Sequence, residues 1–340
     1  MLSKILPTGE NYATPCFVMA MRYFPTKKPR FLFLLACVIM VMSATTGCAS
    51  SQANPILGVD HIYDVSRQQA TTFDDLLPQL LTADVIYIGE EHYTPSHLEA
   101  AQTIMSALLA HDRHPALAME MFSWDGQRGL DRYIHESGFT TEQLVKDSQW
   151  NANWGGEFAD YQPLVTFAKS HQLQIFGLNP PRPLVRLVAT KGLRDARQDP
   201  EMNNWPVGEL VTDDPEYEKL IFEQIEACHQ GLPDHVYRRI FEASIFRDEG
   251  MAQVITNYLK NKSPTAGPLV SYTGGGHIQF KIPVPKRVER KHPGVKSITI
   301  YLEAWDPSKE DEVRSELKTG IADFLWLTPL GPKGLQPRCG

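Results

Sequence analysis

Short apolar runs alternate with segments of helical periodicity through the middle of this chain, and that alternation limits its fold most strongly. Residues 85–88 are β-forming and continuous in sequence, which is typical of a strand buried on both faces. A helical segment at residues 72–81 precedes this run, and another begins at Pro95. Strands that alternate with helices form right-handed crossovers and a parallel sheet. The sequence therefore predicts an α/β fold, with a parallel sheet flanked by helices.

Several of these runs end in polar side chains. Further runs occupy residues 115–122, 173–179, 268–273 and 297–303. The carboxyl ends of parallel strands meet at one edge of the sheet, where ligands bind in open α/β sheets. We call this edge the rim. The residues expected to gather there are Glu90, Glu91, His92, Glu120, Asn179 and His277.

Two long insertions interrupt the alternation. Residues 123–170 and 205–260 have helical periodicity and are rich in aromatic side chains. We expect them to form a smaller helical domain that caps the rim. The sheet domain is then built from residues 71–122, 171–204 and 261–304.

The amino-terminal segment has the order of regions that is typical of a bacterial secretory signal. Basic residues precede the apolar run 31–42, and small residues lead to Cys48. Cys48 after Gly47 resembles a lipoprotein cleavage site, which predicts a signal peptide at residues 1–47, lipidation of Cys48 and a tether at residues 48–70. An uncleaved membrane anchor and a plain secretory signal are the alternatives. The absence of aspartate after Cys48 favours the outer membrane, by resemblance to lipoprotein sorting. Residues 305–340 are interpreted as a polar C-terminal tail.

The charge balance argues against nucleic acid as a partner. The chain carries 33 Lys and Arg against 40 Asp and Glu, a formal net charge of −7. The predicted signal peptide contains five of the basic residues and one acidic residue, so its removal leaves the mature chain still more acidic. Binding to phosphates needs clustered Lys and Arg instead.

The motifs at the strand ends together resemble the ChaN-like haem-binding lipoproteins. The resemblance covers about residues 71–293 and includes His97, Arg186, residues 89–92 (GEEH), 119–122 (MEMF), 149–161 (QWNANWGGEFADY), 178–182 (LNPPR), 247–248 (RD) and 274–278 (GGGHI). It implies a parallel sheet with a smaller helical domain, haem held at a dimer interface through a tyrosine, and a link to iron acquisition. More distantly, the sheet looks like that of the erythromycin esterases and related metal-dependent proteases.

The carboxylates and imidazoles of the rim are compatible with two kinds of chemistry. His92, Glu120 and His277 could bind a divalent metal, while Glu90, His92, Glu120 and His277 could act as the acid–base groups of a hydrolase. Clustered carboxylates raise one another's pKa, so we expect Glu90, Glu91 or Glu120 to hold a proton. Arg247 and Asp248 are expected to form a buried pair with each other.

Haem binding calls for other groups: a flat apolar slot, an axial ligand and cations for the propionates. Within the stretch that resembles the family, Tyr161 is the first choice of axial ligand, followed by Tyr93 and Tyr133. Arg182 and Arg186, four residues apart on one helix face, are candidates for binding the propionates, and Asn179 is a further candidate contact.

Taken together, these features predict a haem-binding lipoprotein on the periplasmic side of the outer membrane. We expect it to serve haem or iron storage or uptake and to be dimeric when loaded with haem. The alternative is a metal-dependent hydrolase that uses the rim cluster directly.

Overall fold

A computed structural model describes residues 56–205 and 207–335 of the chain. Within these residues, the strands are β1 (Ile62–Asp64), β2 (Gln69–Thr71), β3 (Val85–Glu90), β4 (Ala116–Ser123), β5 (Ile175–Asn179), β6 (Leu269–Gly274), β7 (Ser297–Ala304) and β8 (Phe324–Thr328). The predicted signal peptide and Cys48 lie outside the described residues.

The helices of the described residues follow the alternation that the sequence predicts, with additional helices between β4 and β5 and between β5 and β6. They are α1 (Phe73–Thr82), α2 (Pro95–Ala110), α3 (Gln127–His135), α4 (Thr141–Asp147), α5 (Trp150–Asn153), α6 (Gln162–Ser170), α7 (Arg182–Lys191), α8 (Leu193–Ala196), α9 (Pro200–Asn203), α10 (Pro215–Cys228), α11 (Asp234–Asn261), α12 (Val284–Lys291) and α13 (Glu310–Thr319). Among these helices, none is both long and apolar enough to cross a bilayer.

All eight strands form one sheet in the order β2-β1-β8-β7-β3-β6-β4-β5. The six strands from β8 to β5 are parallel to one another. The short strands β1 and β2 continue the sheet in antiparallel orientation. The predicted α/β class with a mostly parallel sheet is confirmed, and β3 lies near its middle, hydrogen-bonded to β6 and β7.

Two predicted boundaries are wrong. The tether at residues 48–70 contains β1 and the start of β2, and the tail at residues 305–340 contains α13 and β8. Strand β1 has only three residues, which is too short for a periodic signal. Residues 324–327, which lie within the predicted tail, belong to the largely buried strand β8, which is parallel to β7.

Side chains of β3 alternate between two buried layers. Ile86 and Ile88 belong to the apolar cluster that includes residues of α1 to α4 and α6, whereas Val85 and Tyr87 belong to the cluster that includes residues of α11, α12 and α13. Since successive strand residues point to opposite faces, helices cover both faces of the sheet. Both insertions contain helices. The first packs within the former cluster, and the second packs through α11 within the latter.

Candidate functional site

The site lies at the carboxyl ends of the central parallel strands. Glu90 is the last residue of β3, Glu120 lies in β4, Asn179 ends β5 and Gly274 ends β6. His92 follows β3, and His277 lies in a short 3₁₀ turn after β6. The parallel pairing places these ends side by side, so the rim brings together the side chains that the sequence grouped, except that of Glu91.

Glu90 and His92 form the first carboxylate–imidazole pair, which we call the outer unit. Nδ1 of His92 lies 2.7 Å from Oε1 of Glu90. The phenols of Tyr161 and Tyr272 donate hydrogen bonds to the same carboxylate, at 2.8 and 2.7 Å. Burial alone would lower the pKa of His92, but the hydrogen bond to Glu90 and the charge of Glu120 raise it above its usual value. The His92 side chain remains 38% exposed.

Glu120, His277 and Asp248 form a second cluster, the inner unit. Nδ1 of His277 lies 2.6 Å from Oδ1 of Asp248, and Nε2 of the same ring lies 3.3 Å from Oε1 of Glu120. Burial would lower the pKa of His277, but the charges of Glu120 and Asp248 raise it to about 9. The ring is therefore cationic at neutral pH, where it donates hydrogen bonds and does not act as a base.

The inner unit is closed by further donors. Nη2 of Arg247 lies 2.6 Å from Oε1 of Glu120, and the backbone N–H of Gly274 donates to Oε2 at 2.7 Å. Tyr217 donates its phenol hydrogen to Oδ2 of Asp248 at 2.6 Å. Asn179 donates to the Glu120 carbonyl and accepts from Arg247, so it is a member of this network and its amide is already engaged.

The expectation of a held proton is wrong for Glu120, and the expected pair of Arg247 with Asp248 is wrong as well. Burial favours the neutral form of Glu120, but the cationic His277 and Arg247 outweigh that effect and hold its pKa well below the usual range. Arg247 and Asp248 do not pair with each other, because Arg247 binds Glu120 while Asp248 binds His277 and Tyr217.

Gly274 separates the two units. A Cβ atom at this position would lie 3.0 Å from Cε1 of His92 and 3.4 Å from Oε2 of Glu120. The absence of a side chain at Gly274 thus leaves room for His92 and Glu120 to approach the same backbone segment.

Glu91 points away from both units. Its carboxylate binds Nζ of Lys309 at 2.7 Å, and Lys309 also pairs with Glu303 on β7. Burial and the neighbouring carboxylates of Glu91 and Glu316 raise the pKa of Glu303 to about 8. His97 is buried and accepts the Glu91 N–H at Nδ1, and burial lowers its pKa to about 3. Sequence reasoning missed Lys309 because it ended the sheet domain at residue 304, and it did not single out Glu303 although that residue ends the predicted run 297–303.

The structure changes the order of the tyrosine candidates. Tyr161 is fully buried, donates to Glu90, and accepts the Tyr93 N–H at 3.3 Å. Burial and the Glu90 charge raise its pKa far above the usual range. Tyr133 is 3% exposed and lies beneath the Lys169 ammonium, 3.9 Å from its ring centre. The prediction of Tyr161 as first-choice ligand therefore disagrees with its position, since its phenol faces inward to a carboxylate.

Tyr93 is only partly buried, and its backbone is in the left-handed region at φ 64°. A Cβ atom at Gly156 would lie 2.5 Å from the Tyr93 phenol oxygen, so that glycine gives the phenol room. Trp154 packs edge-on against the His92 ring, with centroids 5.1 Å apart. Burial, Glu90 and Asp160 raise the pKa of Tyr93. The outer unit thus borders a half-exposed aromatic surface, which we call the outer face and define by His92, Tyr93, Trp154, Gly155 and Gly156.

The two predicted arginines are exposed on α7. Nη1 of Arg182 lies 3.3 Å from the position of a Cβ atom at Gly155, so Arg182 borders the outer face. Arg186 lies one turn further along the same helix. Their position agrees with the expectation that they share one helix face.

The divalent-metal alternative is not supported. In the described part of the chain, no group of three or more His, Cys, Asp or Glu side chains is placed to hold a metal ion. Glu120 and both nitrogens of His277 are engaged within the inner unit, and His92 is held by Glu90.

Comparison with known proteins identifies the class. Residues 76–288 match the family described as haem-binding uptake, Tiki superfamily, ChaN. The match spans more than half of the chain, so the chain belongs to this haem-binding uptake family.

Two solved structures are similar to this chain. A ChaN of Campylobacter jejuni, described as binding haem cofacially, has 21% sequence identity and a TM-score of 0.61, over 78% of this chain and 96% of that one. An erythromycin esterase in its open conformation has 13% identity and a TM-score of 0.42, over 81% and 84% of the two chains. The likeness to the Campylobacter jejuni protein concerns the fold alone.

A curated plant relative, Protein RETICULATA-RELATED 5, chloroplastic, of Arabidopsis thaliana, is 24% identical over 268 residues. The aligned region covers 75% of this chain and 35% of the plant protein, so the chain spans about a third of that relative's length.

Proposed function

We propose that this protein binds haem on the outer face of the rim, for haem or iron storage or uptake. The observation that carries the proposal is the half-exposed aromatic surface of His92, Tyr93 and Trp154 beside an exposed arginine. Haem sites need a flat apolar surface, an axial ligand and cations for the propionates. The outer face offers aromatic side chains and a phenol, Arg182 beside it offers a cation, and membership of the haem-binding uptake family supports the proposal.

Tyr93 is the proposed axial ligand. Of the three candidate tyrosines, Tyr93 is only partly buried, whereas Tyr161 and Tyr133 are buried. Phenolate oxygen is a hard donor that suits ferric iron, which haem supplies when bound. The Tyr161 phenol accepts the Tyr93 N–H, so Tyr161 positions the loop that carries the ligand.

The cationic border of the outer face supports propionate binding. Arg182 lies beside Gly155 and presents a planar guanidinium that can bind carboxylates with two parallel hydrogen bonds. Arg186 lies one turn further along α7 and extends the positive border. The exposure of both side chains leaves their charges accessible to a ligand.

We further propose that the protein is a lipoprotein on the periplasmic side of the outer membrane and is dimeric when loaded with haem. The order of basic, apolar and small residues before Cys48 supports lipidation. The cofacial haem binding of the Campylobacter jejuni ChaN supports pairing of two chains through their haems. Replacement Cys48→Ser should release the protein from membranes, and unchanged fractionation would argue against lipidation.

Hemin titration of the purified protein tests the haem proposal. We expect a Soret shift on binding, and Tyr93→Phe should weaken binding and move the Soret band because it removes the iron-ligating oxygen. Tyr133→Phe is the matched control, since it also removes the hydroxyl of a buried tyrosine. A wild-type protein that gives no Soret shift would refute haem binding, and a Tyr93→Phe spectrum identical to wild type would refute the ligand assignment.

A further inference from the structure

Residues 329–335 lie beyond the region that matches the family and pack beside the loop that carries Tyr93. Oγ of Ser96 donates a hydrogen bond to the Pro329 carbonyl at 2.7 Å. A Cβ atom at Gly331 would lie 3.0 Å from Cδ of Pro95, so the backbone passes close to the first turn of α2. These contacts fix the C-terminal segment against residues that directly follow the proposed ligand.

Lys333 extends from this segment toward the outer face. Its Nζ atom lies 5.6 Å from the centre of the Tyr93 ring. It also lies 3.3 Å from each carboxylate oxygen of Asp160, at the end of the short 3₁₀ helix before Tyr161. The Lys333 side chain is 56% exposed. The ammonium is thus held near Tyr93 and remains open to solvent.

We propose that Lys333 is a haem-binding residue whose ammonium binds a propionate, and that residues 329–335 complete the haem site. The inference rests on the proposed binding of haem at Tyr93. A ligand attached at Tyr93 lies within reach of the long Lys333 side chain. With Arg182 at Gly155, the outer face then has one cation for each of the two propionates of haem.

Charge around Tyr93 makes such a cation necessary. Glu90, Asp160 and Glu120 all place negative charge near the Tyr93 phenol. A porphyrin with two carboxylates would be repelled there unless cations offset that charge. The contact between Lys333 and Asp160 is an exposed ion pair, which is worth little, so an exchange of Asp160 for a propionate costs little.

A purely structural role for Lys333 predicts different behaviour. If the residue only ties the C-terminal segment to Asp160, its removal should affect all porphyrins equally. If it binds a propionate, its removal should matter for hemin and not for hemin dimethyl ester, in which both carboxylates are esterified. The two porphyrins present the same ring and iron, so the comparison isolates the carboxylate contact.

The experiment measures dissociation constants of hemin and hemin dimethyl ester for the wild type, Lys333→Ala, Lys333→Glu and Lys191→Glu, by Soret titration with quenching of tryptophan fluorescence as a second readout. Lys191 is the matched control, since it pairs with Asp199 at 3.0 Å and is 51% exposed on α7. Lys333→Ala should weaken hemin binding about fivefold, as expected for one charge-assisted hydrogen bond at a partly exposed position. Lys333→Glu should weaken it further, and Lys191→Glu should leave it unchanged.

Binding of the dimethyl ester should be the same in the wild type and both Lys333 variants. Equal loss for both porphyrins, or no loss for hemin, would overturn the assignment of Lys333. If the wild type binds hemin through Tyr93 while the Lys333 variants bind as tightly, this inference alone fails. A wild type that binds neither porphyrin overturns the proposed function as well.

Discussion

The outer and inner units of the rim contain the same chemical motif in different surroundings. In each, Nδ1 of a histidine lies within 2.7 Å of a buried carboxylate oxygen, Glu90 for His92 and Asp248 for His277. The His92 side chain is 38% exposed, whereas that of His277 is 16% exposed. The pair of His92 and Glu90 therefore faces the protein surface, and the pair of His277 and Asp248 faces the interior.

The two histidines also differ in the contacts of their second ring nitrogen, Nε2. Nε2 of His277 contacts Glu120, and Glu120 is also bound by Arg247 and the Gly274 N–H. Within the described residues, His92 makes its hydrogen bond through Nδ1 alone. A network in which every polar group is hydrogen-bonded holds the strand ends in place. A network in which only some groups are hydrogen-bonded can still contact a ligand. We therefore assign the inner unit to the scaffold and the outer unit to the binding surface.

The largest effect should come from breaking the inner unit. His277→Ala leaves Glu120 and Asp248 buried with fewer compensating charges, so we expect the free energy of unfolding to fall by about 3–5 kcal/mol. His92→Ala should cost about 1 kcal/mol, because its ring is partly exposed and Glu90 keeps two phenol donors. Urea unfolding of both variants measures the contrast. Equal losses would contradict the division into scaffold and surface.

Stability should fall as the pH rises through the titration of His277. The folded state holds the His277 proton more tightly than the unfolded state, with a pKa of about 9 against 6.5. The resulting stabilisation is fully present below pH 6.5 and is lost as the pH rises to about 9, and it amounts to about 3 kcal/mol. Unfolding free energies measured across that window check the slope.

The contribution of Glu303 to the pH dependence of stability must be separated from that of His277 in this measurement. A carboxyl group whose pKa is raised to about 8 also binds its proton more tightly in the folded state. Its contribution to stability is therefore lost as the pH rises from about 4.5 to 8. Glu303→Gln should therefore remove the slope between about pH 4.5 and 6.5 and reduce it between pH 6.5 and 8, while His277→Gln should flatten the slope between pH 8 and 9. A His277→Gln protein with the wild-type slope between pH 8 and 9 would argue against a cationic His277.

The gathering of the rim residues was predictable because it depends only on strand direction. Once β3, β4 and β6 are recognised as parallel strands, Glu90, Glu120 and His277 must come to the same edge. Their hydrogen-bond partners were not predictable in this way. Arg247 and Asp248 are adjacent on α11, and adjacent helical side chains point in directions about 100° apart, so they face different partners.

The exposure of each tyrosine also depends on packing that the sequence does not show. Tyr161 follows an aromatic stretch, and it is buried because Glu90 accepts its phenol hydrogen from across the rim. Tyr93 adopts positive φ, which is uncommon for residues other than glycine and has no sequence signal here. Lys333 lies in a polar stretch whose position near Tyr93 arises only when β8 joins the sheet.

A further predicted effect, smaller than that of breaking the inner unit, concerns the support of Glu90 in the outer unit. Tyr161→Phe removes one of two phenol donors to a buried carboxylate, so we expect a loss of about 1–2 kcal/mol in unfolding free energy. Tyr272→Phe removes the other donor and should cost about as much. Tyr133→Phe is the control, since no hydrogen bond of its phenol is found in the described chain, and its cost should be near zero. If chemical denaturation shows that Tyr161→Phe is no more destabilised than Tyr133→Phe, the phenols do not support Glu90. The outer unit would then be independent of its surroundings, in contrast to the inner unit.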